Sequence, residues 1–191
     1  MVPLSDRVLL ERHARGDRDA FAQLMNIYAS RVYGYLARAG VRPADRDDLF
    51  QDIFVKVHRA SMQQLPDGAV RPWLFAIAVN AVRDAHRKTK VRSIVSLDER
   101  AGANEPAKSS RADQIAEGDE LAAFLDDQIE RLPLEQREAL LLVSVEGLDL
   151  EDAAAALEAP VNTVKTRVRR ARLALAEAMA RRNRTMEREG T

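Results

Sequence analysis

The chain has 191 residues, of which 46% are apolar, only 5% aromatic and 31% charged. Such an Ala- and Leu-rich composition favours a helical protein of one domain or two small ones over a β-protein. The absence of cysteine excludes a disulfide scaffold and any thiolate metal site, and with no apolar run near the twenty residues of a membrane span and no signal-peptide core, the expectation is a soluble cytoplasmic protein without membrane insertion.

Helical periodicity begins at about Asp17 and runs to Arg38, where Phe21, Leu24, Met25, Tyr28, Val32, Tyr35 and Leu36 make a continuous apolar stripe. Gly40 and Pro43 break it. A second helix is expected from about Ala44 to Ser61, with Leu49, Ile53 and Val57 inward, Phe50 and Phe54 beside them, and Asp45, Asp48 and Asp52 on the opposite face. Pro66, Gly68 and Pro72 mark the next loop, followed by a third helix from Trp73 to Lys88 with Leu74, Ile77, Ala78, Ala81, Val82 and Ala85 inward.

From Thr89 to about Gly118 the period disappears and Ser, Gly, Asn and Pro cluster, which reads as a flexible linker. A second helical unit starts near Leu121, continues through Leu134 to Val145, stops at Gly147 and ends in LEDAAAALEAPVNTVKTRVRRAR, Leu150 to Arg172. This last stretch has the form of a helix-turn-helix. Asp149 is placed to cap its first helix and Pro160 stands at the start of the second. Val164, Val168, Ala171 and Leu175 share a core face, while Asn162, Thr163, Lys165, Thr166, Arg169 and Arg170 lie mostly on the outer arc, suited to a DNA major groove.

Thirty basic and thirty acidic residues cancel, so their distribution carries the signal. Six Lys or Arg face one acid between Arg71 and Arg92, five face none between Pro160 and Arg172, and ten acids face three bases between Leu97 and Glu130. Two basic islands therefore flank an acidic bridge. On the third helix Asn80, Arg83, Asp84, Arg87 and Lys88 recur at steps of three and four, a pattern in which an amide can address a base edge while cations hold phosphates. The cluster of Asp45, Asp47, Asp48 and Asp52 is a poor metal site, since carboxylates also suit any helix N-terminus and no His is close in sequence. With Gln51, and on the expectation that Phe54 shows an exposed edge, it reads better as a protein-binding surface. His13, His58 and His86 show no ligand spacing, and no nucleophile elbow, phosphate loop or paired acids stand out. No metal, cofactor or catalytic residue is expected.

Three of these segments, in order, resemble one family. RPWLFAIAVNAVRDAHRK, Arg71 to Lys88, resembles the promoter-melting helix of bacterial RNA polymerase sigma factors of the extracytoplasmic-function (ECF) group. ADRDDLFQDIFVKVHR, Ala44 to Arg59, is similar to that family's polymerase-docking helix, and RLPLEQREALLLVSVEGLDLEDAAAAL to the segment leading into its C-terminal helix-turn-helix. The resemblance implies an all-α, non-enzymatic protein of two small helical domains joined by a flexible linker. Residues 1–91 would form the N-terminal sigma domain, 92–117 the acidic linker, 118–185 the C-terminal domain with the helix-turn-helix, and 186–191 a tail.

The N-terminal domain would dock on core RNA polymerase through Asp48, Gln51, Asp52 and Phe54, and open the downstream promoter element with Asn80, Arg83, Arg87 and Lys88. The C-terminal domain would read the upstream element of promoter DNA with Asn162, Thr163, Lys165, Thr166, Arg167, Arg169 and Arg170. The resemblance also implies control by an anti-sigma factor, often tethered to the membrane. Departures from the family lie in the turn, where Glu158 stands in place of a usual Gly and Asn162 in place of a small residue, so an altered turn geometry is expected; Ala153 also replaces a bulkier aliphatic residue. Two other classes fit the residues alone: an autonomous helix-turn-helix regulator whose N-terminal bundle senses a ligand or dimerises, and a metal-dependent nucleic-acid enzyme using the Asp cluster.

Overall fold

The computed structural model describes residues 4–97 and 117–189, and every regular element among them is helical. They form two compact units, the first built from four helices and the second chiefly from the rest.

In the N-terminal unit α1 spans Asp6–Ala14, α2 Arg18–Arg38, α3 Pro43–Gln63 and α4 Val70–Leu97. The first is absent from the sequence expectations because its core stripe is only Leu9, Leu10 and His13 in a charge-rich nine-residue segment. Its start was nonetheless written in the sequence: the Ser5 hydroxyl accepts from the Val8 N–H at 3.4 Å, an N-cap followed by Asp6 in the first turn. The α2 helix is capped by Asp17, whose carboxylate accepts from Ala20 N–H at 3.0 Å. It buries Ala20, Leu24, Tyr28, Val32, Tyr35 and Leu36. It ends where Gly40 takes φ +82° and Val41 N–H returns to the Leu36 carbonyl at 3.1 Å, a Schellman closure that satisfies a terminal carbonyl.

Pro43 occupies the first turn of α3, where a missing N–H costs nothing. Pro72 falls inside the first turn of α4 rather than in the preceding loop, for the same reason: the first helical N–H groups have no partner within the helix. Leu74, Phe75, Ala78, Val79, Ala81 and Val82 of α4 are buried, and Phe75 meets Tyr35 edge-on at 5.7 Å between ring centroids, a favoured aromatic geometry. Polar ties fix α1 over the bundle: Tyr28 Oη donates to Asp6 and the Arg7 guanidinium donates to the Pro66 carbonyl. The α4 helix continues to Leu97, so residues 92–97 are helical where the linker was expected to begin. No Gly or Pro interrupts the chain there, and extending a formed helix costs far less than nucleating one.

In the C-terminal unit α5 spans Glu117–Glu130, α6 Leu134–Leu140, α7 Leu150–Leu157 and α8 Val161–Glu189. The expected single run from Leu134 to Val145 changes winding midway, since Leu141–Val145 form a π-helical segment. The chain then turns at Gly147, φ +67°. Arg137 closes the end of α5 by donating to the carbonyls of Ile129 at 3.1 Å and Leu132 at 3.0 Å, which supplies partners to otherwise unmet helix-end acceptors. The α8 helix packs on α5 and α6, and its Arg182 lies over the Phe124 ring at 5.0 Å. It runs on through Glu189, past the position where a tail from residue 186 was expected; no helix breaker occurs before Gly190.

Candidate nucleic-acid interface

The Asp149 carboxylate accepts from Asp152 N–H at 2.7 Å, which starts α7 at Leu150 as its sequence implied. Residues 158–160 then connect α7 to α8, a turn of helix-turn-helix length. The expected alteration at Glu158 takes a specific form. Glu158 adopts the left-handed conformation itself, φ +52°, and the turn keeps both closing bonds, Glu158 N–H to the Ala155 carbonyl at 3.2 Å and Ala159 N–H to the Ala154 carbonyl at 3.0 Å. The glycine geometry survives, at the steric cost that a Cβ brings to that region. Asn162 is an ordinary α8 residue and does not take positive φ, and Ala153 is fully buried.

Val164, Val168 and Ala171 of α8 are buried as the periodicity required. Asn162, Lys165, Thr166, Arg169 and Arg170 are exposed, Thr163 is partly covered, and the Thr166 hydroxyl donates to the Asn162 carbonyl at 2.8 Å. Arg167 differs from the other cations. Its guanidinium meets the Glu135 carboxylate at 2.5 Å, and its side chain is 20% exposed against 68% for Glu135. The pair spans a groove of about 540 Å³ between Pro133–Gln136 at the start of α6 and the side of α8 carrying Asn162, Thr163, Thr166, Arg167 and Arg170. Nothing in the sequence pattern marked Glu135, because a first-turn acid is what any helix prefers. Arg172 is also anchored, donating to Ser144 Oγ at 3.0 Å.

On α4, Asn80, Arg87 and Lys88 are exposed and Arg83 is partly buried. Arg87 is paired with Asp84 one turn earlier, which offsets its charge, and His86 is engaged through Nε2 with the Ala39 carbonyl at 3.0 Å. Lys90 and Arg92, the last two cations of the basic island that begins at Arg71, have side chains outside the described residues.

On α3, Asp48, Gln51 and Asp52 are exposed as expected, but the exposed edge expected of Phe54 is not there. Phe54 is only 3% exposed and packs against Phe50 at 4.8 Å between centroids. The reason is rotational. At about 100° per residue, Phe54 stands roughly 200° around the helix from Asp52, on the stripe of Phe50, Ile53 and Val57. The residue that shares the acidic face is Val55, 45% exposed. Among the described residues no group of three or more His, Asp or Glu side chains is arranged to hold a metal ion, and no described helix is long and apolar enough to cross a membrane.

Comparison with known proteins assigns both units. The model of Sigma-70 region 2 matches residues 24–92 and that of Sigma-70 region 4 matches residues 125–175. The RNA polymerase sigma-H factor of Pseudomonas aeruginosa is 33% identical over 91% of this chain and 93% of its own length. The ECF RNA polymerase sigma factor SigM of Mycobacterium tuberculosis is 35% identical, over 92% and 85%. The ECF RNA polymerase sigma-E factor of Escherichia coli is 34% identical, over 90% and 93%. Among solved structures, CnrH in complex with the cytosolic domain of CnrY superposes with a TM-score of 0.69 at 27% identity, covering 92% of this chain and 97% of the other. RpoE of Bartonella quintana in complex with the anti-sigma factor NepR gives 0.66 at 25%, covering 84% and 96%. A chain whose described elements are all helical, with region 2 in its first unit and region 4 in its second, belongs to the ECF group of RNA polymerase sigma factors, a non-enzymatic family.

Proposed function

We propose that this chain acts in the cytoplasm by binding core RNA polymerase and directing it to a defined set of promoters. Residues 1–91 dock and open the DNA, and residues 118–185 read the upstream element as duplex. The observation that carries the reading is the cationic outer face of α8, with Lys165, Arg169 and Arg170 exposed, in a region-4 unit preceded by a region-2 unit. Lys165, Arg169 and Arg170 hold phosphates, Asn162, Thr163, Thr166 and Arg167 address base edges, and Asn80 with Arg83, Arg87 and Lys88 engages the opened downstream strand. Asp48, Gln51 and Asp52, with Val55 in the place first expected of Phe54, form the polymerase-docking face.

The test is run-off transcription with purified core polymerase on a library of promoter fragments. Start sites that appear only with this chain present support the proposal. Absence of initiation, with tight salt-sensitive duplex binding by the chain alone, would instead identify an autonomous regulator.

Regulation by an anti-sigma factor is part of the proposal. Two solved neighbours support it, one recorded with the anti-sigma factor NepR and the other with the cytosolic domain of CnrY, the second of which also favours a membrane-tethered regulator. Affinity capture from unstressed cells should recover a partner besides polymerase; recovery of polymerase subunits alone would oppose it.

A further inference from the structure

We propose that Glu135 is a positioning residue for upstream-element recognition, holding Arg167 so that its guanidinium addresses a G·C base edge instead of a phosphate. The inference rests on the promoter-reading role proposed above and names a determinant of its specificity. Glu135 and Arg167 are thirty-two positions apart in sequence yet paired at 2.5 Å, so the contact is built by the packing of α6 against α8. The Arg167 side chain lies largely covered in the groove, whereas Lys165, Arg169 and Arg170 stand exposed around it. An exposed cation can swing to whichever phosphate is near; one held by a carboxylate on a second helix cannot.

The electrostatics favour the same division of labour. A carboxylate on a DNA-facing surface repels phosphates, and Glu135 stands on that surface in the first turn of α6. The pair therefore presents little net charge to the backbone. The guanidinium has five N–H donors and the pair uses one through Nη2, which leaves donors for the O6 and N7 acceptors of guanine. A free carboxylate lone pair is suited to the N4 amino group of the paired cytosine. Together the two side chains match the edge of one G·C pair, a match neither has alone.

The experiment compares promoter selection from an upstream-element library by holoenzyme carrying wild type, Glu135→Gln, Glu135→Ala, Arg167→Ala and the double alanine variant. Glu135→Ala and Arg167→Ala should relax the preference for G·C at the same position by about tenfold, the double variant should lose no more than Arg167→Ala, and Glu135→Gln should retain part of the preference. The salt slope of DNA binding should steepen by about one for Glu135→Ala as the released guanidinium engages a phosphate. A Glu135→Ala holoenzyme that ranks promoters as wild type does, or weakens all of them equally, overturns the role of Glu135 alone. A wild-type holoenzyme that selects no promoter overturns both this inference and the function it rests on.

Discussion

His13 of α1 and His58 of α3 are joined directly, Nε2 to Nδ1 at 2.9 Å, with His13 also stacked on Phe21 of α2 at 4.4 Å. One imidazole donates to the other, an arrangement that requires at least one of the two rings to be neutral. Three helices thus meet at a pair that cannot carry a proton on every ring nitrogen and keep this bond.

Acid sensitivity of the N-terminal unit follows. Burial and the adjacent His58 hold the His13 pKa below the ordinary value of 6.5, outweighing the opposing pull of Asp17 at the start of α2. Below that value the unfolded chain takes up a proton that the folded state resists, so the contribution of this site to stability is full above about pH 6.5 and declines as the pH falls. Urea midpoints of the full chain should therefore drop between pH 7.5 and 5.5, and His13→Gln should flatten that dependence. An unchanged slope in the variant would place the acid sensitivity elsewhere.

Phe54 and Val55 should exchange the roles that sequence neighbours suggest. Phe54→Ala removes a buried ring and should cost about 3 kcal/mol or more of stability, seen in thermal or urea unfolding. Its effect on polymerase binding should follow from the unfolded fraction alone. Val55→Ser, by contrast, should leave stability within about 0.5 kcal/mol yet weaken core binding, as should Asp48→Arg and Asp52→Arg, measured by anisotropy of the labelled chain. Loss of affinity with Phe54→Ala under conditions where it is folded, and none with Val55→Ser, would return Phe54 to the docking face.

The same pair of residues shows how far the sequence reaches. Leu24, Tyr28, Val32 and Tyr35 announce α2 because their spacing of four, four and three is the period of a helix, and their burial confirms it. The identical rule applied to α3 places Phe54 with Phe50 and Val57, and its burial follows from that spacing; only the exposed edge expected of it beside Asp52 is missing. Short elements are harder: α1 offers too few apolar positions for a period to show, and nothing in LLVSV distinguishes π from α winding. Contacts such as Glu135 with Arg167 are invisible to any window, since only the packed fold brings α6 and α8 together. The cations of α8 were legible as a face; which of them is free and which is held was not.

Glu158 offers a test of backbone strain. Gly40 and Glu158 close their helices with the same pattern of returning bonds, yet only the first lacks a Cβ in the left-handed region, φ +82° and +52° respectively. Glu158→Gly should stabilise the chain by about 1 kcal/mol, a gain partly offset by the extra freedom of glycine in the unfolded state. Glu158→Ala keeps the Cβ and should change little. Equal melting temperatures for all three would mean that the turn relaxes without strain.

Asn80 separates reading from assembly. It is exposed on α4 next to the buried pair Ala81 and Val82, so removing its amide leaves the core intact and should not alter polymerase binding. An amide that hydrogen-bonds an unpaired base contributes about 1–1.5 kcal/mol, so Asn80→Ala should slow promoter opening about tenfold while holoenzyme forms normally. Fluorescence of a 2-aminopurine placed in the downstream element reports opening, and anisotropy reports assembly. A template carrying a preformed bubble distinguishes the two ways in which Asn80 can act. If it captures an unstacked base, the variant remains defective on the bubble, because the base is available but the hydrogen bond is gone. If the bubble restores full activity, Asn80 helps to separate the strands and does not read what they expose, and an equal loss of assembly and opening would make it a structural residue of α4.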